Sequence, residues 1–363
     1  MADLADTASR SGAAGTSGPL PYPPSWLDRL TDRVDRLPGP AWAYYVGLGL
    51  VLLLAQAIVK WSDGVYAGGF LWYHVIYAGT PANLLGSLHY VDRVGAQAFD
   101  NYRSAFNGDA KQAHDYRYRL TTMPTLPALV ATLLGAVWGF ARWNAFPPEE
   151  ARMLGLYTST LGTILDRGTA VLVWTLVGLF IYHTIHQLRI VGRLLDRHTD
   201  INIFKLRPLY AFSRLTAVTA VGMAIGFYGF SSFNLALPES IAKNPGTIIN
   251  TAIFTVVAIV TFVLPLGGAH RLLQREKERL QGESADRLHT LLADLHRRVE
   301  ARDTTEASEY KDLLDSALAE RDLLGKLPTW PWQGETLRLV GTALVLPVVL
   351  FIIQQILERL LGL

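Results

Sequence analysis

The chain has 363 residues, 50% hydrophobic and 18% charged, with a net charge of +2 and no cysteine. Without cysteine there are no disulfides, thiolate metal sites or cysteine nucleophiles, and so small a net charge argues against a nucleic-acid partner. Charges are nearly missing from several stretches of about 18–25 residues, the length a helix needs to cross a ~30 Å hydrocarbon core.

The first 24 residues are rich in Gly, Ala, Ser, Pro and Asp, lack the apolar centre of a secretory signal, and read as a disordered tail. Ser25 opens a short helix over 25–37, with Asp28 three residues on in a capping-box arrangement. Trp26, Leu27, Leu30, Val34 and Leu37 share one face, and Asp28, Arg29, Asp32, Arg33, Asp35 and Arg36 the other. A helix lying on a membrane surface has this pattern; a solvated helix packed on the protein's own loops fits it equally well.

Span 1 is predicted over Ala41–Val59, with Trp42, Tyr44 and Tyr45 at one interface and Lys60-Trp61 at the other. Ala67–Tyr90 carries no Asp, Glu, Lys or Arg but contains His74, Pro81 and Asn83; it reads as a second span kinked at Pro81, with a re-entrant segment as the rival. Asp92–Arg119 is polar with a helical period. Pro124 and Pro127 open span 3, Leu126–Trp143, where missing amide donors cost least. A short amphipathic helix after Phe146 is expected to end before Asp166-Arg167-Gly168, with span 4 over Thr169–Leu188 continuing as a basic helix through Arg189, Arg193 and Arg197. An apolar link, 198–213, should lie at the interface. Spans 5, 6 and 7 follow at Leu215–Phe233, Ile248–Leu266 and Leu337–Leu357.

Between the last two spans, residues 267–333 are charged and Leu-spaced. One straight helix over Ala269–Leu324 would be about 84 Å long, and the dozen residues left reach at most about 40 Å. A helix not lying flat on the membrane must therefore turn, best at Glu300–Thr305, giving a helical hairpin. Leu288, Leu292, Leu295 and Val299 form a coiled-coil-like seam on the first arm. Tyr310, Leu314, Ala317 and Leu324 face it from the second, and Trp330-Pro331-Trp332 anchors the return before the closing segment 334–363.

The predicted fold class is all-α: a polytopic integral membrane bundle of about seven transmembrane helices with a hairpin inserted before the last. With seven spans, the N-terminal segment, 91–122, 189–214 and the hairpin share one side, and each is rich in Arg and Lys. The other side receives the 60–66 turn, 144–168, and 234–247 with Lys243 alone. Positive charge marks the cytoplasmic side, so the hairpin and N-terminus are expected in the cytoplasm of a cell (inner or plasma) membrane. If Ala67–Tyr90 did not cross, the N-terminal segment alone would change sides.

His183 and His186 share a face near the end of span 4, with His198 twelve residues on; these are the metal candidates, but no HExxH or carboxylate–His pairing completes a site. No nucleophile elbow, P-loop or dinucleotide motif is present. No catalytic residue and no cofactor is predicted. Asp166 and Asp196 are explained by turn chemistry at helix ends. The spans hold no Asp, Glu, Lys or Arg well away from an end, which counts against a proton-coupled carrier. Gly222-x-x-x-Gly226 favours tight helix packing.

The order of apolar span, hairpin, Leu327-Pro328-Thr329-Trp330-Pro331-Trp332 and a final span with Pro347 resembles that of bacterial multi-pass membrane proteins with no function attached. The stretch Asp200–Arg214 is similar to a segment in the same set. The resemblance covers about a quarter of the chain and implies shared architecture, with no activity or site residue. The expected function is non-enzymatic sensing, scaffolding or assembly through the hairpin, with the bilayer and a protein partner or second copy as partners. A channel or small-solute carrier is the alternative. A lipid-acting enzyme built on His183, His186 and Arg189 is third.

Overall fold

The structure, a computed structural model, describes residues 20–65, 72–144, 148–197, 210–219, 221, 222, 245–301, 307–329, 338 and 342. The expectations at His198, Gly226, Trp330 and Trp332, most of 215–233, and the last span lie outside them, as do residues 1–19. The described chain is all-helical, with no strand among the described residues.

Helix α1 (Trp26–Asp35) starts at a complete capping box: Ser25 Oγ accepts the Asp28 N–H (3.2 Å) and Asp28 Oδ2 accepts the Ser25 N–H (2.9 Å). The same carboxylate oxygen accepts the Met123 N–H at 3.0 Å. Asp28 therefore faces inward, although its spacing put it on the polar outer face. Serving two backbone donors at once offsets part of the cost of burying it. Tyr22 Oη–H donates to the Thr122 carbonyl (2.7 Å), and Tyr118 Oη–H to the Tyr22 carbonyl (2.8 Å). The end of the expected tail is thus held against residues 118–125.

Helices α2 (Ala41–Ser62), α3 (Trp72–Tyr102), α4 (Ala110–Thr121), α5 (Thr125–Asn144), α6 (Pro148–Met153) and α7 (Thr160–Arg197) follow. Three described helices are long and apolar enough to cross a membrane: Ala41–Ser62, Thr125–Asn144 and Thr160–Leu195 within α7. Their pattern is inverted relative to a water-soluble bundle, with Leu50, Leu54 and Ile58 of α2 and Leu133, Leu134 and Val137 of α5 facing outward. The helical part of the expected second span belongs to α3, which is not among the three; Pro81 sits inside it without ending it.

Two boundaries differ from the sequence expectation. Helix α7 runs straight through Asp166-Arg167-Gly168, where a break was expected. It starts at Thr160, about two and a half turns before the expected Thr169, because Ser159 Oγ accepts the Gly162 N–H (3.0 Å) as an N-terminal cap. Likewise α3 continues past Asp92 to Tyr102, and the polar 92–119 stretch breaks only at 103–109, where Asp109 and Gln112 form a capping box for α4.

The tightest packing joins α5 to α7. A Cβ on Gly135 would lie 2.5 Å from the Trp174 carbonyl oxygen, and one on Gly178 would lie 2.9 Å from the Ala131 carbonyl. Only glycine lets the two backbones approach so closely. One core gathers Leu27, Tyr45, Leu88, Ala128, Leu176 and Leu179 from five helices. A second, at the α1 end, joins Val94, Phe99 and Tyr102 of α3 to Leu194 of α7, to Phe212 of the helical segment 210–219, and to Leu273.

Leu273 belongs to α8 (Pro245–Glu300), an unbroken helix of 56 residues, about 84 Å long. Helix α9 (Ala307–Lys326) returns antiparallel beside it. Tyr310 Oη–H donates to Asp294 Oδ2 (3.0 Å) near the tip, and Arg287 pairs with Glu320 (2.6 Å) halfway. At the base, Lys277 Nζ donates to the Gly325 (2.7 Å) and Leu327 (2.8 Å) carbonyls.

Candidate functional site

Two clusters of buried polar side chains occupy opposite ends of the bundle. The far end is closed by α6 and the loop 154–159. There Lys60 of α2 has no exposed side-chain surface, and its Nζ lies 2.5 Å from Asp166 Oδ2, 2.8 Å from the Gly155 carbonyl and 3.5 Å from Thr158 Oγ1. His74 Nε2 lies 3.1 Å from the Leu154 carbonyl, and its Nδ1 is 4.0 Å from Asp166 Oδ1. Gln56 donates to Thr169 Oγ1 (3.1 Å). On the rim, the Thr158 and Ser159 hydroxyls donate to Asp63 and hold its carboxyl below the ordinary range.

This overturns one sequence expectation and adds to another. Asp166 is not a turn residue but lies inside α7, and Lys60, expected at the end of the first span, turns inward there to pair with it. An unpaired buried charge would cost several kcal/mol, so neither residue is tolerable alone. The loop between α6 and α7 is shaped to reach them, with Gly155 at φ 63° and Tyr157 at φ 57°; the first carries the carbonyl that Lys60 binds.

The near end is built on α3. His89, Asp92 and Arg93, at i, i+3 and i+4, share one side of that helix. His89 Nδ1 meets Tyr45 Oη (2.7 Å) and its Nε2 meets Asp35 Oδ1 (3.1 Å), an oxygen that Arg93 also contacts at 2.5 Å. Burial works against the Asp35 charge, but Arg93 and His89 outweigh it and hold the carboxyl below its usual range. Asp92 Oδ1 lies 3.1 Å from His183 Nε2, an ion-pair distance, while His183 Nδ1 and Thr184 Oγ1 lack a hydrogen-bond partner among the described residues. Burial pushes the Asp28 carboxyl up to about 6, and the nearby Asp92 adds to the rise.

The metal candidates do not converge. His183 faces Asp92, whereas His186 Nε2 lies 2.9 Å from the Arg119 carbonyl and 3.3 Å from Tyr22 Oη. No group of three or more His, Asp or Glu side chains suited to a metal occurs among the described residues. Arg189, the third member of the enzyme reading, is exposed. A Cβ added at Gly222 would meet Ser87 Oγ at an ordinary 3.5 Å, a looser approach than the one at Gly135.

On the hairpin, Leu288 is buried and Leu295 and Leu314 are half-buried, while Leu292 and Val299 are exposed. The covered seam lies nearer the base, through Leu273, Ser284, Leu288 and Leu324. Sequence reasoning missed the Lys60–Asp166 pair, whose partners lie 106 residues apart. It also missed Gly135-x-x-x-Gly139, a signal that was legible and sits at the real close contact. No protein-family model matches the chain, and comparison with curated proteins and with solved structures returns no match either.

Proposed function

We propose that this is a multi-pass cell-membrane protein of about seven spans, non-enzymatic, which senses or scaffolds through its cytoplasmic hairpin. The observation that carries the reading is the continuity of α8 over Pro245–Glu300, from the apolar 248–266 stretch to the hairpin tip. A helix without a break transmits tilt or translation, whereas a flexible linker would absorb it. The base of the hairpin is tied to the bundle through Leu273, Leu280 and Leu327, while Val299, Leu313 and Leu318 beyond it are exposed apolar groups on a charged surface. Arg and Lys on both flanking segments support the cytoplasmic placement. The partner is a second copy or another protein.

The base packs into the bundle core, so the decisive deletion removes residues 289–319 and leaves it intact. A photo-crosslinking residue at Val299 or Leu313 in native membranes should yield a discrete adduct. Excising 289–319 should abolish the corresponding complex while membrane insertion persists. A complex of unchanged size after excision would overturn the proposal.

The second reading, a channel or small-solute carrier, is favoured by His183 Nδ1 and Thr184 Oγ1, buried polar atoms that lack a hydrogen-bond partner among the described residues beside the Asp92–His183 pair. Buried polar groups that lack protein partners commonly mark a water-accessible path. Single cysteines at Gly95 or Thr184, in a chain with none of its own, should then react with a water-soluble thiol reagent. Protection at both would remove this reading.

A further inference from the structure

Between α1, the first turn of α2 and the 86–93 stretch of α3 lies a cavity of about 800 Å³. Its wall carries charges of both signs, Asp35 and Arg93, with His89 and Tyr45 behind them and Trp42 and Tyr90 at the mouth. Arg93 contacts Asp35 through one terminal nitrogen and is about half exposed, so the rest of its guanidinium fork remains available to an anion. Trp42 and Tyr90 are 66% and 52% exposed, an aromatic pair placed where interfacial aromatics sit in membrane proteins. From Trp42 a stripe of exposed apolar side chains climbs α2 at four-residue spacing: Val46, Leu50, Leu54 and Ile58. Sixteen residues of helix rise about 24 Å, more than the ~15 Å of hydrocarbon in one leaflet.

We propose that this cavity is a binding site for a phospholipid whose headgroup bears a primary ammonium. The ammonium lies against Asp35 and the aromatic faces of Trp42 and Tyr90, the phosphodiester against Arg93, and an acyl chain along the stripe of α2. A cation fits the aromatic rim, and the carboxylate adds hydrogen-bond acceptors that a primary ammonium can use and a trimethylated one cannot. An anionic headgroup without the ammonium would meet Arg93 but face the Asp35 charge. The two signs in one wall therefore select a zwitterion, and the apolar stripe selects a lipid over a free headgroup.

The test is native mass spectrometry of the full chain in detergent, titrated with phosphatidylethanolamine, phosphatidylcholine and phosphatidylglycerol of identical acyl chains. Phosphatidylethanolamine should bind about tenfold tighter than either competitor, the scale of one charge-assisted hydrogen bond. Asp35→Asn should erase that preference and Arg93→Gln should weaken all three lipids. Trp42→Ala, at an exposed position that leaves the core intact, should weaken phosphatidylethanolamine severalfold without lowering the melting temperature. Millimolar phosphoethanolamine should not displace the lipid. Equal retention of the three lipids, an unchanged ratio in Asp35→Asn, or full affinity in Trp42→Ala would overturn the site, and displacement by phosphoethanolamine would overturn the role of the stripe.

Discussion

At the far end of the bundle, Lys60 and Asp166 are 0% and 2% exposed and bond directly, one cation to one anion, under a lid formed by α6 and the loop 154–159. At the near end, Asp28, Asp35 and Asp92 gather around His89, His183 and Arg93, with Asp92 still 17% exposed and Arg93 46%. The first arrangement is sealed and balanced, so its electrostatics hold helices in place. The second has more carboxylates than fixed cations, charges that stay partly exposed and a cavity beside it, whereas a buried polar atom without a hydrogen-bond partner occurs at both ends, Gln56 Oε1 at the far one and Thr184 Oγ1 at the near one. The same residue types thus serve stability where they are closed off and remain available for ligands or protons where they are not.

The strongest way to break this contrast is Lys60→Met. It leaves the Asp166 carboxylate buried without its cation and strips the Gly155 carbonyl of its donor. Removing one partner of a buried pair costs about 3–5 kcal/mol, so the melting temperature in detergent should fall steeply. The double variant Lys60→Met/Asp166→Leu should recover most of the loss. A single variant as stable as wild type would mean that the far end is not a clamp.

The near end predicts the opposite sign for the loss of a charge. Asp28 rises from 3.8 to about 6 in the folded protein, chiefly through burial. The folded state therefore holds the proton more tightly than the unfolded chain. Its contribution to stability is fully present below about pH 4 and is lost as pH rises through 6, a swing of about 3 kcal/mol. Asp28→Asn keeps an oxygen acceptor for the Ser25 and Met123 N–H groups and removes the titration. Melts between pH 4 and 7.5 should show wild type weakening up to about pH 6 and levelling above it, with the variant holding flat and more stable than wild type at pH 7.5. Parallel curves would refute the assignment.

Between the ends, Gly135→Val should weaken both alike. The new side chain would meet the Trp174 carbonyl and Thr175 Cα, backbone atoms that cannot swing aside. Overpacking of this kind costs about 1–3 kcal/mol. Hydrogen exchange in the 154–159 loop and in the 118–125 segment should then rise together. Faster exchange at one end alone would show that the α5–α7 contact does not couple them.

What the sequence disclosed follows the range of the forces involved. The all-helical character, the capping box at Ser25 and Asp28, and the apolar lengths of Ala41–Ser62 and Thr125–Asn144 are local or periodic, and all were legible. The start of α7 was not. Asp166-Arg167-Gly168 has turn composition, and only a lysine from another helix makes a straight path through it affordable. Burial of Asp28 was hidden for the same reason, since the second amide it serves belongs to Met123, 95 residues away. Long-range pairing decides which charges go inside, and single-sequence periodicity carries no record of it.

The hairpin offers the smallest effect and the sharpest control. Arg287 and Glu320 pair at 2.6 Å, but both side chains are roughly half exposed. An exposed pair contributes about 0.2–1 kcal/mol, and the hairpin is held independently by Leu273, Leu288 and Leu324 and by Arg298 stacked 4.4 Å over the Tyr310 ring. Arg287→Glu should consequently shift the melting temperature by no more than a degree or two in a chain of this size. Its consequence for binding is different, because it reverses charge on the exposed surface of the same hairpin that carries Val299 and Leu313. If the crosslinked complex weakens while the melt stays fixed, and Glu320→Arg in the same chain restores the pair without restoring the complex, the outward charge of Arg287 is what the partner reads. Restoration of both would show that the partner reads the hairpin's geometry instead.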